Sequence, residues 1–102
     1  MTARIHIPRE EVTTFCQRNH IRRLALFGSV LRDDFTPSSD IDILVEFEPN
    51  HPPIGFIGLS GMEIELSQIL GRRAEIHTVP GLNPRFRDKV LRIAEVQYER
   101  AG

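Results

Sequence analysis

Cysteine occurs once, at Cys16, so no disulfide can close within the chain and no thiolate cluster can hold a metal. That pattern fits a reducing compartment and gives the expectation of a cytoplasmic protein. Long apolar runs are missing too. Nothing approaches the roughly 18 residues of a membrane span, and the opening MTARIHIPREEV has no apolar run of signal-peptide length. Net charge is nearly absent, at −1, which excludes a broad electrostatic nucleic-acid binder. All but one of the 13 positively charged residues are arginine, however. Arg22-Arg23, Arg72-Arg73 and the run Arg85, Arg87, Lys89, Arg92 could therefore form local basic patches, although a solvated face is the commoner role of such residues. Repeats and low-complexity segments are lacking. What is left is ordinary for a soluble domain, with 40% apolar and 26% charged residues. At 102 residues the sequence predicts one domain over 1–102, with a single modest core.

Pro8, Glu10 and Glu11 suit a helix start, and Val12, Phe15 and Cys16 give the stretch from Arg9 to about Arg18 a narrow apolar stripe, ended by Asn19-His20. Residues 23–27 read as a strand closed by Gly28-Ser29. Turn chemistry follows, in Asp33-Asp34 and Thr36-Pro37-Ser38-Ser39. Residues 40–47, DIDILVEF, are β-branched and aromatic enough for a second strand. From Phe56 to Leu70 apolar residues recur at helical spacing, with Gly71 as a C-terminal cap. Ala74 to Val79 alternates as a third strand. Asn83 caps a last helix with Pro84 at its first position, and Phe86, Val90, Ile93, Ala94 and Gln97 share one side of it. The order helix, strand, strand, helix, strand, helix predicts a two-layer α/β domain, with the helices packed on one face of a small sheet.

Chemistry concentrates where the first strand ends and the second begins. Side chains alternate along a strand, so Asp40 and Asp42 point to one face, about 6–7 Å apart. Two carboxylates so placed on a largely apolar strand repel each other, and a divalent cation would relieve that. Two-metal sites hold their ions roughly 3.5–4 Å apart, and magnesium takes oxygen ligands and phosphate oxygens. Gly28 lets backbone approach a phosphate closely, Ser29 adds a hydroxyl and an N–H, and Arg32 could neutralise a phosphate oxygen with its planar fork. Taken singly, Gly-Ser is a common turn and Asp-x-Asp a common exposed pair; it is their spacing within a strand–turn–strand setting that is specific. His77, two residues past Glu75 on the same strand face, could touch a nucleotide or acceptor, though a lone strand histidine is more often structural. Tyr98, the only tyrosine, suits packing or partner contact.

Gly28-Ser29, ten residues, then Asp40-Ile41-Asp42 resembles the signature of the DNA polymerase beta-like nucleotidyltransferase superfamily. The string LALFGSVLRDDFTPSSDIDILVEF, continued by LSQILGRRAEIHTV, resembles its minimal branch, the nucleotidyltransferases encoded beside HEPN-domain proteins. The resemblance covers about Ile21 to Tyr98. It implies a mixed three-strand sheet, magnesium as cofactor, and transfer of AMP from ATP to a protein acceptor. The implied partner is a HEPN ribonuclease toxin, modified on a tyrosine, with this chain as its antitoxin. By position, Gly28 and Ser29 match the phosphate-binding turn and Arg32 an arginine common in that branch. Asp40 and Asp42 match the metal ligands, and Glu75 falls where the third catalytic and metal-binding carboxylate stands. Glu75 replaces an aspartate, and Asp33 stands where relatives often have glycine. The longer glutamate keeps a second function in view, an antitoxin that neutralises by binding alone. A third, a small-molecule nucleotidyltransferase like the aminoglycoside-modifying enzymes, would call for a second domain that 102 residues do not hold.

Overall fold

The computed structural model describes residues 5–28, 36 and 39–100. Along the chain run α1 (Arg9–Arg18), β1 (Ile21–Phe27), β2 (Ile41–Phe47), α2 (Phe56–Leu70), β3 (Ala74–Thr78), α3 (Pro84–Ile93) and β4 (Glu95–Glu99). The strands form one mixed sheet in the order β3-β2-β1-β4. β1 is antiparallel to both β2 and β4, whereas β2 and β3 are parallel. A parallel pair cannot be joined by a tight turn, and α2 provides the crossover.

Local chemistry sets the helix ends. Glu10 and Glu11 occupy the first turn of α1, and the Asn19 side chain donates to the Phe15 carbonyl at its end (2.8 Å). Gly71 closes α2 in the left-handed region, at φ 75°, with its N–H on the Ser67 carbonyl. The Asn83 side chain accepts from the Arg85 N–H (2.9 Å) with Pro84 in the first turn of α3, as the sequence indicates. Val12, Phe15 and Cys16 of α1 and Met62 and Leu66 of α2 bury against Leu24, Leu26, Ile41, Ile43, Val45, Ala74 and Ile76 on one sheet face. Burial raises the Cys16 thiol to about 12, so it acts as a small core residue. Tyr98 packs at the margin of the same core.

Two expectations need correction. The sheet has four strands, not three. The helix from Pro84 stops at Ile93, and Gln97 lies in β4, not on a helix face. Ala94 turns extended (ψ 135°), after which Leu24 pairs with Tyr98 and Arg23 with Glu99. α3 buries no residue, so the buried helix residues come from α1 and α2 alone.

β3 ends the sheet, and an edge strand leaves alternate backbone N–H groups without a strand partner. Two side chains of α2 take two of those of β3. Ser67 Oγ accepts from Ala74 N–H (2.9 Å) while donating to the Glu63 carbonyl (2.6 Å). Glu63 Oε2 accepts from Ile76 N–H (2.7 Å). The residue between these two anchors is Glu75. On this account Glu63→Ala lowers stability by about 1–3 kcal/mol, the cost of orphaning a half-buried donor, and Ser67→Ala by about 0.5–1.5 kcal/mol. Urea denaturation checks both, and an unchanged midpoint for Glu63→Ala would contradict the edge-anchoring role.

Candidate active site

Alternation sends the even residues of β2 and the odd residues of β3 to the face away from α1 and α2. Ile41, Ile43 and Val45 are buried in the core, so Asp42 points to the other side. Ala74 and Ile76 likewise leave Glu75 and His77 opposite. Parallel pairing then sets Asp42 beside Glu75 and Leu44 beside His77, while antiparallel pairing sets Phe27 beside Asp42.

Asp42, Glu75 and His77 each bring one ligand atom to within 4.8 Å of the other two. His77 Nε2 donates to Asp42 Oδ1 at 3.3 Å and lies 3.7 Å from Glu75 Oε1. The hydrogen bond to Asp42 raises the imidazole pKa; partial burial opposes this, and the charges of Glu75, Asp42 and Glu63 add to it. The Phe27 ring meets the imidazole edge-on, with centroids 5.2 Å apart, and limits its rotation. Asp42 and His77 are half-buried (29% and 28% exposed), whereas Glu75 is more open at 51%.

Gly28 follows β1 with φ 78°. A Cβ there would fall 2.3 Å from Asp42 Oδ2, so glycine is required twice, for its backbone conformation and for the room it leaves the carboxylate. Asp40 precedes β2, outside the Asp42–Glu75–His77 cluster, with Oδ2 3.9 Å from Arg73 Nε. That approach follows from the Ile41 N–H bonding the Arg73 carbonyl (2.9 Å), which ties the start of β2 to the start of β3. Ser29, Arg32 and Asp33 lie outside the described residues. Of the residues singled out from sequence, the structure thus gathers Gly28, Asp42, Glu75 and His77 and sets Asp40 one step away. The signal for His77 in the sequence was the two-residue offset from Glu75.

The donors fit a divalent cation. Two carboxylates and an imidazole converge from two paired strands, beside a turn kept free of a side chain. A hollow of about 500 Å³ lined by Phe47, His51, Ile54, Leu59 and Val79 is a separate feature, at the opposite end of β2. Among the described residues no helix is long and apolar enough to cross a membrane.

The tight approach at Gly28 makes Gly28→Ala the substitution that disturbs Asp42 without touching it. The left-handed backbone conformation costs alanine about 1–2 kcal/mol, and Asp42 must rotate away as well. A lowered denaturation midpoint together with weakened cation binding is the expected outcome. Unchanged cation binding, read by calorimetry, would show that Asp42 does not depend on this turn.

Comparison with known proteins places this geometry. A family model described as the nucleotidyltransferase domain matches residues 9–97. A Methanocaldococcus jannaschii protein provisionally named a protein adenylyltransferase is 31% identical over 74 residues, which cover 72% of this chain and 76% of that one. Protein adenylyltransferase MntA of Thermococcus cleftensis is 35% identical over 82 residues, covering 80% and 78%. A solved structure described as a minimal nucleotidyltransferase superposes with TM-score 0.68 at 37% identity, over 84% of this chain and 85% of that one. A toxin–antitoxin crystal structure with AMP-PNP shares the fold, with TM-score 0.72 at 16% identity over 92% and 75%. With its family match over nearly the whole described length, and with relatives aligned over three quarters of their own, the chain belongs to the nucleotidyltransferase family, among its minimal members.

Proposed function

We propose that residues 1–102 form one catalytic domain that moves AMP from ATP onto a hydroxyl of a protein, and that the acceptor is a tyrosine of a HEPN ribonuclease toxin. In this reading the chain is the antitoxin and works in the cytoplasm. The observation that carries the proposal is the pairing of Asp42 with Glu75 across two parallel strands, beside the Gly28 turn. The name of the Thermococcus relative and the toxin–antitoxin neighbour with its bound ATP analogue support the donor and the kind of partner. Phe56 and Ile57, 87% and 89% exposed at the start of α2, suit contact with a protein surface.

The acceptor oxygen attacks the α-phosphorus, its bond to that atom forms as the bond to the bridging oxygen breaks, and pyrophosphate leaves. Phosphoryl-type transfer asks the protein mainly for positioning and for charge stabilisation. Asp40, Asp42 and Glu75 would hold magnesium, which supplies charge neutralisation for the triphosphate. By their place in the sequence Gly28 and Ser29 would meet phosphate oxygens, and Arg32 would offer a guanidinium to the triphosphate. Glu75 is either a ligand or the base that takes the proton of the acceptor hydroxyl. Its openness leaves room for a bulky protein substrate to approach.

Three variants test the reading by mass spectrometry of the partner after incubation with ATP and magnesium. Asp42→Asn and Glu75→Gln should each lower transfer by about 100-fold or more, in the range for a lost acid or base, with the fold intact. Glu75→Asp should keep activity similar or higher. Wild-type transfer in both amide variants would refute the assignment. Partner inhibition without ATP in Glu75→Gln would instead favour neutralisation by binding.

A further inference from the structure

Magnesium is a hard cation that prefers oxygen, and carboxylates alone would satisfy it. The third member of this cluster is a nitrogen donor. Imidazole suits first-row transition ions, whose affinity for nitrogen-containing sites rises along the series from manganese. In a near-octahedral complex with bonds of about 2.1 Å, adjacent donors stand roughly 3 Å apart. His77 Nε2 is 3.3 Å from Asp42 Oδ1 and 3.7 Å from Glu75 Oε1, and one ligand atom from each of the three residues lies within 4.8 Å of the others, so side-chain adjustment brings all three donors onto one ion. Phe27, against the ring edge, keeps the imidazole near this orientation. Register fixes the rest, because His77 lies two residues beyond Glu75 and faces the same side of the sheet as Asp42.

We propose that His77 makes this a mixed carboxylate–imidazole centre that binds a first-row transition cation such as Mn²⁺ through Nε2, more tightly than it binds Mg²⁺. The inference rests on the reading of Asp42 and Glu75 as metal ligands and adds a ligand and a cation class to it. With an ion bound, Nε2 gives up the proton it shares with Asp42, so the ring is the Nδ1–H tautomer, and the freed Nε2 lone pair donates to the cation that Asp42 also ligates.

Pulsed electron paramagnetic resonance of the protein loaded with Mn²⁺ alone reads the nitrogen directly. Wild type should show strong modulation from a bound imidazole nitrogen. His77→Leu should lose it and bind Mn²⁺ about tenfold or more weakly, since even partners outside the ligand set are worth that much, with Mg²⁺ affinity little changed. Bound Mn²⁺ without nitrogen modulation in wild type would overturn the role of His77 and leave the carboxylate reading standing. Mn²⁺ bound as tightly by Asp42→Asn/Glu75→Gln as by wild type would overturn the carboxylate reading itself. No Mn²⁺ binding, or Mn²⁺ binding no tighter than that of Mg²⁺, overturns the inference.

Discussion

Two α2 side chains hold the outer edge of β3, and the site depends on that hold. Ser67 and Glu63 take the N–H groups of Ala74 and Ile76, the residues on either side of Glu75. With β3 fixed in parallel register on β2, Glu75 stands beside Asp42 and His77 stands one pleat further on. A slip of one residue would send Glu75 and His77 into the core and expose Ala74 and Ile76, so burial on one face enforces the chemistry on the other.

That arrangement has an electrostatic cost. The Asp42 and Glu75 carboxylates, with oxygens within 4.8 Å of each other, repel, and the exposure of Glu75 weakens that repulsion through solvent screening. Compensation comes partly from His77, whose N–H bonds Asp42, and mostly from the opposite face. There each buried Leu, Ile or Phe contributes about 1.5–3 kcal/mol. The division of labour follows from strand alternation: one face of β2 and β3 folds the protein, and the other gathers charge that a cation can use. Transfer of a nucleotidyl group draws mainly on placement, which a sheet face of this kind supplies.

Much of this was legible in the sequence. The bounds of α1 and α2 follow from apolar spacing and from Gly71, and the turn at Gly28 from its position at a strand end, whereas the room Gly28 leaves the Asp42 carboxylate shows only once β1 and β2 are paired. β4 was not legible, because Glu95 to Glu99 is rich in residues that also favour helices. Its strand character comes from partners distant in sequence, with Tyr98 paired to Leu24 and Glu99 bonded to Arg23. His77 was visible only as a lone strand histidine. Its contact with Asp42 needs the pairing of two strands 35 residues apart, which no local pattern encodes. Asp40 shares its pleat direction with Asp42 in sequence, yet it sits before the strand begins and faces Arg73, since the start of β2 is tied to Arg73 through the backbone.

The proposed activity is transfer, at this face, of the nucleotidyl part of a triphosphate to a protein. Parallel incubations of the protein and its partner with ATP labelled at the α- or the γ-phosphate, in the presence of magnesium, test it most directly. The expected result is α-label covalently attached to the partner, with γ-label leaving as pyrophosphate. Attachment of γ-label, or release of phosphate with no label on any protein, would contradict it.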